Sequence, residues 1–250
     1  FVIADTHGEY EILGELLRAH RIVDERLQWS FGKGHVVVLG DVFDRGAHQI
    51  EILWLFYELQ AQAAKAGGGL HLLIGNHEAM VLRGDVRYLN PKYQRTTELL
   101  GATSYSQLVG DESLLGQWLR TRPAVLKIGD SLCAHGGISP DLLRLGLGLR
   151  QINVTLRDVL SGSPLDEQRA REAEFVIGRL GPLWYRGYFA KRTDRPATSA
   201  DVERILAYFD AARILVGHTR VPEVTALYDR KVVAVQVYPH RDERSGAAVM

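Results

Sequence analysis

The chain has a single cysteine, Cys133, among its 250 residues, which excludes an intrachain disulfide framework and any cysteine-rich zinc site. It also lacks a net charge. Its 30 Lys and Arg balance 30 Asp and Glu, so bulk electrostatics offer no attraction to nucleic acid or to an anionic membrane. No run of five or six like charges hides inside that balance. Long apolar stretches are missing too: Ile50 to Tyr57 is broken by Glu51 and far too short to span a bilayer. No internal repeat or low-complexity tract is present. The sequence opens on Phe1-Val2-Ile3 without an initiator Met. Upstream residues, with any signal peptide, are therefore expected to lie outside it, and cytosol and periplasm both stay open.

What is present is enough for a full core: 46% apolar and 24% charged residues, at a length that suits one α/β domain or a domain with inserted lobes. Phe1 to Ala4 reads as a first strand, followed by an amphipathic helix from about Tyr10 to His20. Val36-Val37-Val38-Leu39 is β-branched and fully apolar, as a strand buried on both faces requires. A helix follows from about Gln49 to Ala66, closed by Gly67-Gly68-Gly69, and then a third strand, Leu70 to Ile74. This β-α-β-α-β opening predicts a parallel sheet with right-handed crossovers. Further on, Ala124 to Ile128 and Leu132 to Ala134 form a hairpin around Gly129-Asp130. Ile214 to Val216 is another buried strand, and a closing hairpin turns at Asp229-Arg230. Two mostly helical insertions, about 79–122 and 140–210, interrupt this core, and the whole of 1–250 is read as one domain.

The apolar strands end in polar clusters of similar composition. They are Asp5-Thr6-His7-Gly8, Gly40-Asp41-Val42-Phe43-Asp44-Arg45-Gly46, Gly75-Asn76-His77-Glu78, His135-Gly136-Gly137 and Gly217-His218-Thr219. In α/β sheets the carboxyl ends of the strands form the ligand crevice, so these clusters are expected to meet. Asp, His and Asn together suit divalent first-row metals. Taken singly, each cluster has an ordinary reading. Thr6-x-x-Glu9 is a capping box for the next helix, Asp44-Arg45-Gly46 a turn with a local ion pair, Gly75-Asn76 a left-handed turn, and His135 or His218 a structural histidine. Five such accidents at five strand ends are a poor explanation of the set.

In order, Asp-x-His-Gly, Gly-Asp-x-x-Asp-Arg-Gly, Gly-Asn-His-Glu, His-Gly-Gly and Gly-His-Thr resemble the metallophosphoesterases, specifically the phosphoprotein phosphatase family. The stretch Gly75 to Tyr88 resembles its bacterial and plant Shewanella-like branch. The resemblance implies a calcineurin-like α/β fold: a β-sandwich core flanked by helices. It implies a dinuclear metal site in which Asp5, His7 and Asp41 hold one ion and Asp41, Asn76, His135 and His218 the other, with Asp41 bridging. Manganese is the expected ion, and iron or zinc suits the same donors. With only Asp5 and Asp41 anionic, such a cluster would keep a charge of about +2 and attract a phosphate dianion.

The activity implied is phosphomonoester hydrolysis on a phosphorylated protein, peptide or small phosphomonoester, at phosphotyrosine and/or phosphoserine or phosphothreonine. A hydroxide held between the metals attacks phosphorus in line. Arg45 would offer a planar fork to phosphate oxygens, Asn76 and Arg186 would assist in binding, and His77 would protonate the leaving oxygen with Asp44 orienting its ring. Two departures from the family stand out. Ala4 replaces a usual Gly, and Val235-Gln236-Val237-Tyr238 replaces the Ser-Ala-Pro-Asn-Tyr of eukaryotic members, so no role is carried over to Tyr238. A nucleotide hydrolase of the diadenosine tetraphosphatase type is the alternative, which Glu78 disfavours because that group ends the third motif in Asp. A catalytically silent binding module on the same fold is the other. His20, His35, His48, His71 and His240 lie outside the motifs and read as surface or structural, and Cys133 as a small buried hydrophobe.

Overall fold

The computed structural model describes residues 1–192 and 195–237, with two short strands at 240–241 and 248–249. Strands β1 (Val2–Ile3), β2 (His35–Val38) and β3 (Gly69–Leu72) alternate with helices α1 (Tyr10–Ala19) and α2 (Gln49–Lys65). The three strands pair in parallel in the order β1-β2-β3, with Val37 opposite both Val2 and His71. Val36, Val37 and Val38 are all buried, as the run of β-branched residues requires. Helix α1 packs through Ile12, Leu13 and Leu17, and α2 through Ile52, Leu53, Phe56 and Leu59.

Four helices follow β3: α3 (Asn76–Leu82), α4 (Pro91–Leu99), α5 (Tyr105–Leu108) and α6 (Leu114–Arg120). The hairpin of β4 (Val125–Ile128) and β5 (Ser131–Ala134) then turns at Gly129, whose φ of 56° suits glycine. Helices α7 (Pro140–Arg144), α8 (Leu149–Leu160), α9 (Glu167–Ile177) and α10 (Ser199–Tyr208) separate β5 from β6 (Arg213–Val216). The hairpin of β7 (Thr225–Leu227) and β8 (Val232–Ala234) completes a second sheet in the order β4-β5-β6-β8-β7. Within it β5, β6 and β8 are parallel.

The two sheets face each other across a thin apolar layer. Val37, Leu39 and Leu73 on one side meet Cys133 on the other, with Leu126, Ile128, Leu215 and Val235 packed against them. Burial pushes the Cys133 thiol up to about 12, so it stays protonated and inert. The architecture is therefore the α/β sandwich expected, with helices outside it. Among the described residues, no helix is long and apolar enough to cross a membrane.

Two of the ordinary local readings do not hold. Thr6 does not cap α1: the N-cap is Glu9, without a side-chain cap bond, and the Thr6 hydroxyl is buried without a partner. The chain there is drawn inward, since the Thr6 and His7 amides both donate to the Asp41 carbonyl, at 3.1 and 2.9 Å. Nor is Gly75-Asn76 a left-handed turn, because Gly75 is extended and Asn76 opens α3. Away from the motifs, His35 and His71 stack on each other, His20 lies against Phe1 and His48 against Tyr10. Tyr238 and the His240 side chain lie outside the described residues.

Candidate active site

The five clusters follow the carboxyl ends of β1, β2, β3, β5 and β6, and the structure brings them together around one carboxylate. Asp41 Oδ2 lies 3.1 Å from His135 Nε2, 3.8 Å from His7 Nε2 and 3.9 Å from His77 Nε2. Its other oxygen accepts the His77 amide at 2.9 Å. On one side, His135 Nε2 also meets Asn76 Oδ1 at 3.0 Å and His218 Nδ1 at 3.1 Å. On the other, Asp5 Oδ2 stands 3.9 Å from His7 Nε2, while Asp5 Oδ1 accepts the His218 amide at 3.0 Å. Ala4 in place of a glycine thus leaves both Asp5 and His7 facing the centre.

Backbone carbonyls select which imidazole nitrogen faces inward. His7 Nδ1 donates to the Phe43 carbonyl at 2.8 Å and His135 Nδ1 to that of Leu39 at 2.9 Å, which turns each Nε2 toward Asp41. The bond from His135 also ties the second sheet to the first. His7 Nε2 is buried with no hydrogen-bond partner. Burial holds His7 down at about 4, and burial with His135 and Arg186 nearby holds His218 at about 2. Both rings are therefore neutral lone-pair donors at neutral pH. Burial alone would lower His135 too, but Asp41 and Asp5 raise it to about 9, so it carries a proton while only protein surrounds it. Burial likewise raises Asp5 to about 6. For Asp41, burial opposes ionisation, but His135 and its neighbours outweigh it and hold the carboxyl well below the usual range.

The donor atoms of His7, Asp41 and His77 lie within 4.8 Å of one another, and so do those of Asp41, His135 and His218. An orphaned imidazole nitrogen, converging carboxylate oxygens and an amide oxygen form a donor set that divalent first-row cations fit. His77 differs from the other histidines in that its Nδ1 is 2.5 Å from Asp44 Oδ2, leaving only Nε2 to face the centre. Burial works against its protonation, but the Asp44 bond prevails and raises it above the ordinary value. Asp44 is itself fully buried and makes no ion pair with Arg45.

Arg45 is exposed beside the centre, with φ of 68°. Its amide donates to the Tyr88 carbonyl at 3.1 Å, and its carbonyl accepts from Asn90 Nδ2 at 2.7 Å. Lys92 Nζ and the Tyr93 hydroxyl both donate to the carbonyl of Ala47, two residues on. The segment between β3 and β4 therefore clamps the arginine loop. Arg186 is half-buried, and its Nη1 donates to Thr219 Oγ1 at 3.2 Å and to the His218 carbonyl at 3.4 Å, so it faces the centre. Burial, then Arg192 and Arg45, lower its guanidinium below the ordinary value. His7, Asp41, Asp44, Arg45 and His218 all adopt positive φ without being glycine. Such strain, about 1–3 kcal/mol per residue, gathers where the surroundings impose it.

Two supporting residues went unrecognised in the motifs. Glu78 is fully buried, and its carboxylate accepts four backbone amides: Asp41 at 2.7 Å, Val42 at 2.6 Å, Phe43 at 3.1 Å and Gly75 at 2.8 Å. Gln236 Oε1 accepts the Asp5 amide at 2.9 Å. The Gly75-x-x-Glu78 capping-box spacing is a signal for the first; nothing local marks the second. Close backbone approach explains the glycines: a Cβ on Gly75 would stand 2.2 Å from Asp41 Oδ1, and one on Gly40 2.4 Å from the Gly75 nitrogen.

The calcineurin-like phosphoesterase family profile matches residues 1–222. The solved cold-active protein tyrosine phosphatase of a psychrophilic Shewanella species shares 40% identity and a TM-score of 0.88, over 95% of this chain and 70% of that one. Shewanella-like protein phosphatase 1 of Plasmodium berghei is 29% identical, over 88% of this chain and 60% of its own length. Shewanella-like protein phosphatase 2 of Arabidopsis thaliana is 25% identical, over 87% of this chain and 65% of its own. The chain thus spans less than two thirds of those two curated relatives. A profile that runs from the first ligand motif through the last, with a 40% identical relative of the same fold, makes the chain a member of the calcineurin-like phosphoesterases, on the branch of the Shewanella-like protein phosphatases.

Proposed function

We propose that this chain is a dinuclear-metal phosphomonoesterase acting on phosphorylated proteins. The observation that carries the reading is the convergence of the His7, His77 and His135 imidazoles on the single carboxylate of Asp41, with Asn76 and His218 meeting His135 and Asp44 fixing the His77 ring. Asp5, His7 and Asp41 would hold one cation, and Asp41, Asn76, His135 and His218 the other. Manganese is the expected ion, and iron or zinc would fit the same donors. Two such ions, when bound, lower the pKa of a shared water and neutralise charge on the transferring phosphoryl group.

The chain's own residues do the rest. Arg45 and Arg186 bind phosphate oxygens and fix the ester in line. His77 presents a protonated Nε2 to the leaving oxygen, and Asp44 keeps the proton there by accepting from Nδ1. A serine or threonine alkoxide needs that proton most; a tyrosine phenolate, whose acid has a pKa of about 10, needs it less. A cleft of about 310 Å³ beside Asn76, walled by Tyr88 and Trp184, supports a leaving group as large as an aryl ring. The tyrosine phosphatase activity named for the Shewanella relative supports phosphotyrosine as one substrate side chain. We take 1–250 as one metallophosphoesterase domain, with the segments 79–122 and 140–210 bordering the cleft.

The test is hydrolysis of p-nitrophenyl phosphate by chelator-treated protein with and without added manganese, followed by phosphotyrosine peptide, phosphoserine peptide and diadenosine tetraphosphate side by side. Metal-dependent turnover with the phosphopeptides preferred is expected. Preference for the dinucleotide, or no turnover with metal bound, would refute the reading.

A further inference from the structure

Beside the metal centre lies a second recess, of about 430 Å³, lined by Arg179, Leu180, Trp184, Tyr185, Arg186 and Arg192. Among the described residues, no Asp or Glu lines it. In a chain whose total charge is zero, three guanidinium groups around one cavity concentrate positive potential where a ligand can enter. Two walls of the recess also belong to the centre. The Trp184 ring stands edge-on to His218 with centroids 5.6 Å apart, and Arg186 bonds the His218 carbonyl and Thr219.

Arg186 is accounted for by the phosphoryl group itself. Arg179 and Arg192 are exposed, line the same cavity as Arg186 and have no part in the chemistry described above. Arg179 follows the end of α9, where a cation is favoured by the helix dipole in its own right. Arg192 ends a single 3-10 turn, Ala190–Arg192, and has no such explanation.

We propose that this recess is a second anion subsite, taking an oxyanion carried by the same peptide as the phosphorylated residue. The expected source is the carboxylate of a flanking Asp or Glu, for which guanidinium forks are matched. The inference rests on the phosphoprotein reading, in which a side chain flanking the phosphorylated residue supplies the second anion. It makes Arg179 and Arg192 specificity residues: they act on affinity for the peptide and leave the bond-breaking step alone.

The experiment uses the full chain loaded with manganese and three labelled peptides carrying a non-hydrolysable phosphonate in place of phosphotyrosine. Their flanking positions hold Glu, phosphoserine or Gln, and binding is read by fluorescence anisotropy. The Glu peptide is expected to bind about three- to tenfold more tightly than the Gln peptide, the range of one or two partly exposed ion pairs. The gap shrinks as salt rises past about 0.15 M, where the screening length is near 8 Å. In the double variant Arg179→Gln, Arg192→Gln the gap closes, while turnover of p-nitrophenyl phosphate is unchanged. The single Arg192→Gln variant, which touches no helix end, loses part of it. Equal affinity for Glu and Gln peptides, or a gap that survives the double variant, would overturn the subsite. A gain confined to the phosphoserine peptide would overturn the carboxylate assignment. An anisotropy gap without any p-nitrophenyl phosphate turnover would sink the phosphatase reading and leave the subsite standing.

Discussion

Replacing Glu78 with Gln tests how the ligand loops are held. The two carboxylate oxygens each take two amides: Oε2 those of Asp41 and Gly75, Oε1 those of Val42 and Phe43. A glutamine keeps the shape and supplies one oxygen and one NH₂ group. Whichever way it is turned, two buried amides lose their acceptor and face a donor. A hydrogen bond to a charged group contributes about 1.5–3 kcal/mol, so the gross loss is about 3–6 kcal/mol. Part of this is offset, because burial raises the Glu78 carboxyl and a neutral side chain escapes that desolvation. A net loss of about 3 kcal/mol remains, a large share of the roughly 5–15 kcal/mol that stabilises a domain. At this chain length it lowers Tm by roughly 6–12 °C. The assay is thermal and urea unfolding of the chelator-treated protein, so that bound metal does not mask the loop, with metal content measured after reloading. Lowered Tm and substoichiometric metal are expected together, since the amides released belong to the loop that carries Asp41. A metal-free Tm within about 1 °C of the parent, a change of well under 1 kcal/mol, would show that the four bonds do not hold the loop.

Two further outcomes are expected. His77→Asn keeps both metals but slows phosphoserine peptide by about 10²–10⁴-fold, the range of a lost general acid, and phosphotyrosine peptide far less; equal losses in steady-state assays would count against the proton-donor role. Metal uptake should expel a proton from His135, because its raised value of about 9 keeps Nε2 protonated in the free protein. The sign follows directly: protons compete below pH 9, so apparent affinity falls about tenfold per unit and about 100-fold between pH 8 and 6. His7 and His218, already neutral at about 4 and 2, add nothing in that window, and Asp5 at about 6 adds only at its acidic edge. Titration calorimetry at pH 7.5 in buffers of different ionisation enthalpy should return about two protons released per protein, one from His135 and one from the shared water. A count of about one or less would exclude His135 as a proton carrier.

The candidate ligands were legible because each sits just past an apolar strand and most stand beside a glycine: Asp5 after β1, Asp41 after Gly40, Asn76 after Gly75, His135 after β5, His218 after Gly217. Strand periodicity places the residues, and parallel pairing sends them to one end of each sheet. The supports were illegible for a physical reason as well. Glu78 reaches amides 35 to 37 residues away, and Gln236 reaches Asp5 across 231 residues. Only the Gly75 bond to Glu78 has a local spacing, that of a capping box; the long-range bonds leave none. The unused capping box shows the same limit from the other side: Thr6-x-x-Glu9 is the right local pattern, overridden because the Asp41 carbonyl takes the Thr6 and His7 amides.

The arginine loop carries this argument furthest. Asp44 and Arg45 both hold positive φ, 69° and 68°, a conformation that non-glycine residues adopt only under constraint. The constraint comes from outside the motif: the Tyr88 carbonyl, Asn90 Nδ2, Lys92 Nζ and the Tyr93 hydroxyl bind the backbone of residues 45 and 47. Asn90 also caps α4, accepting the Lys92 amide, so the helix start and the loop anchor are one side chain. The helical segment after β3 is thus the frame that turns Arg45 toward the Asp41 centre. A chain with every candidate ligand intact but residues 88–93 replaced would keep its donors for metal and lose the fixed guanidinium fork, because preorganised geometry, not the presence of an arginine, is what orients a phosphate.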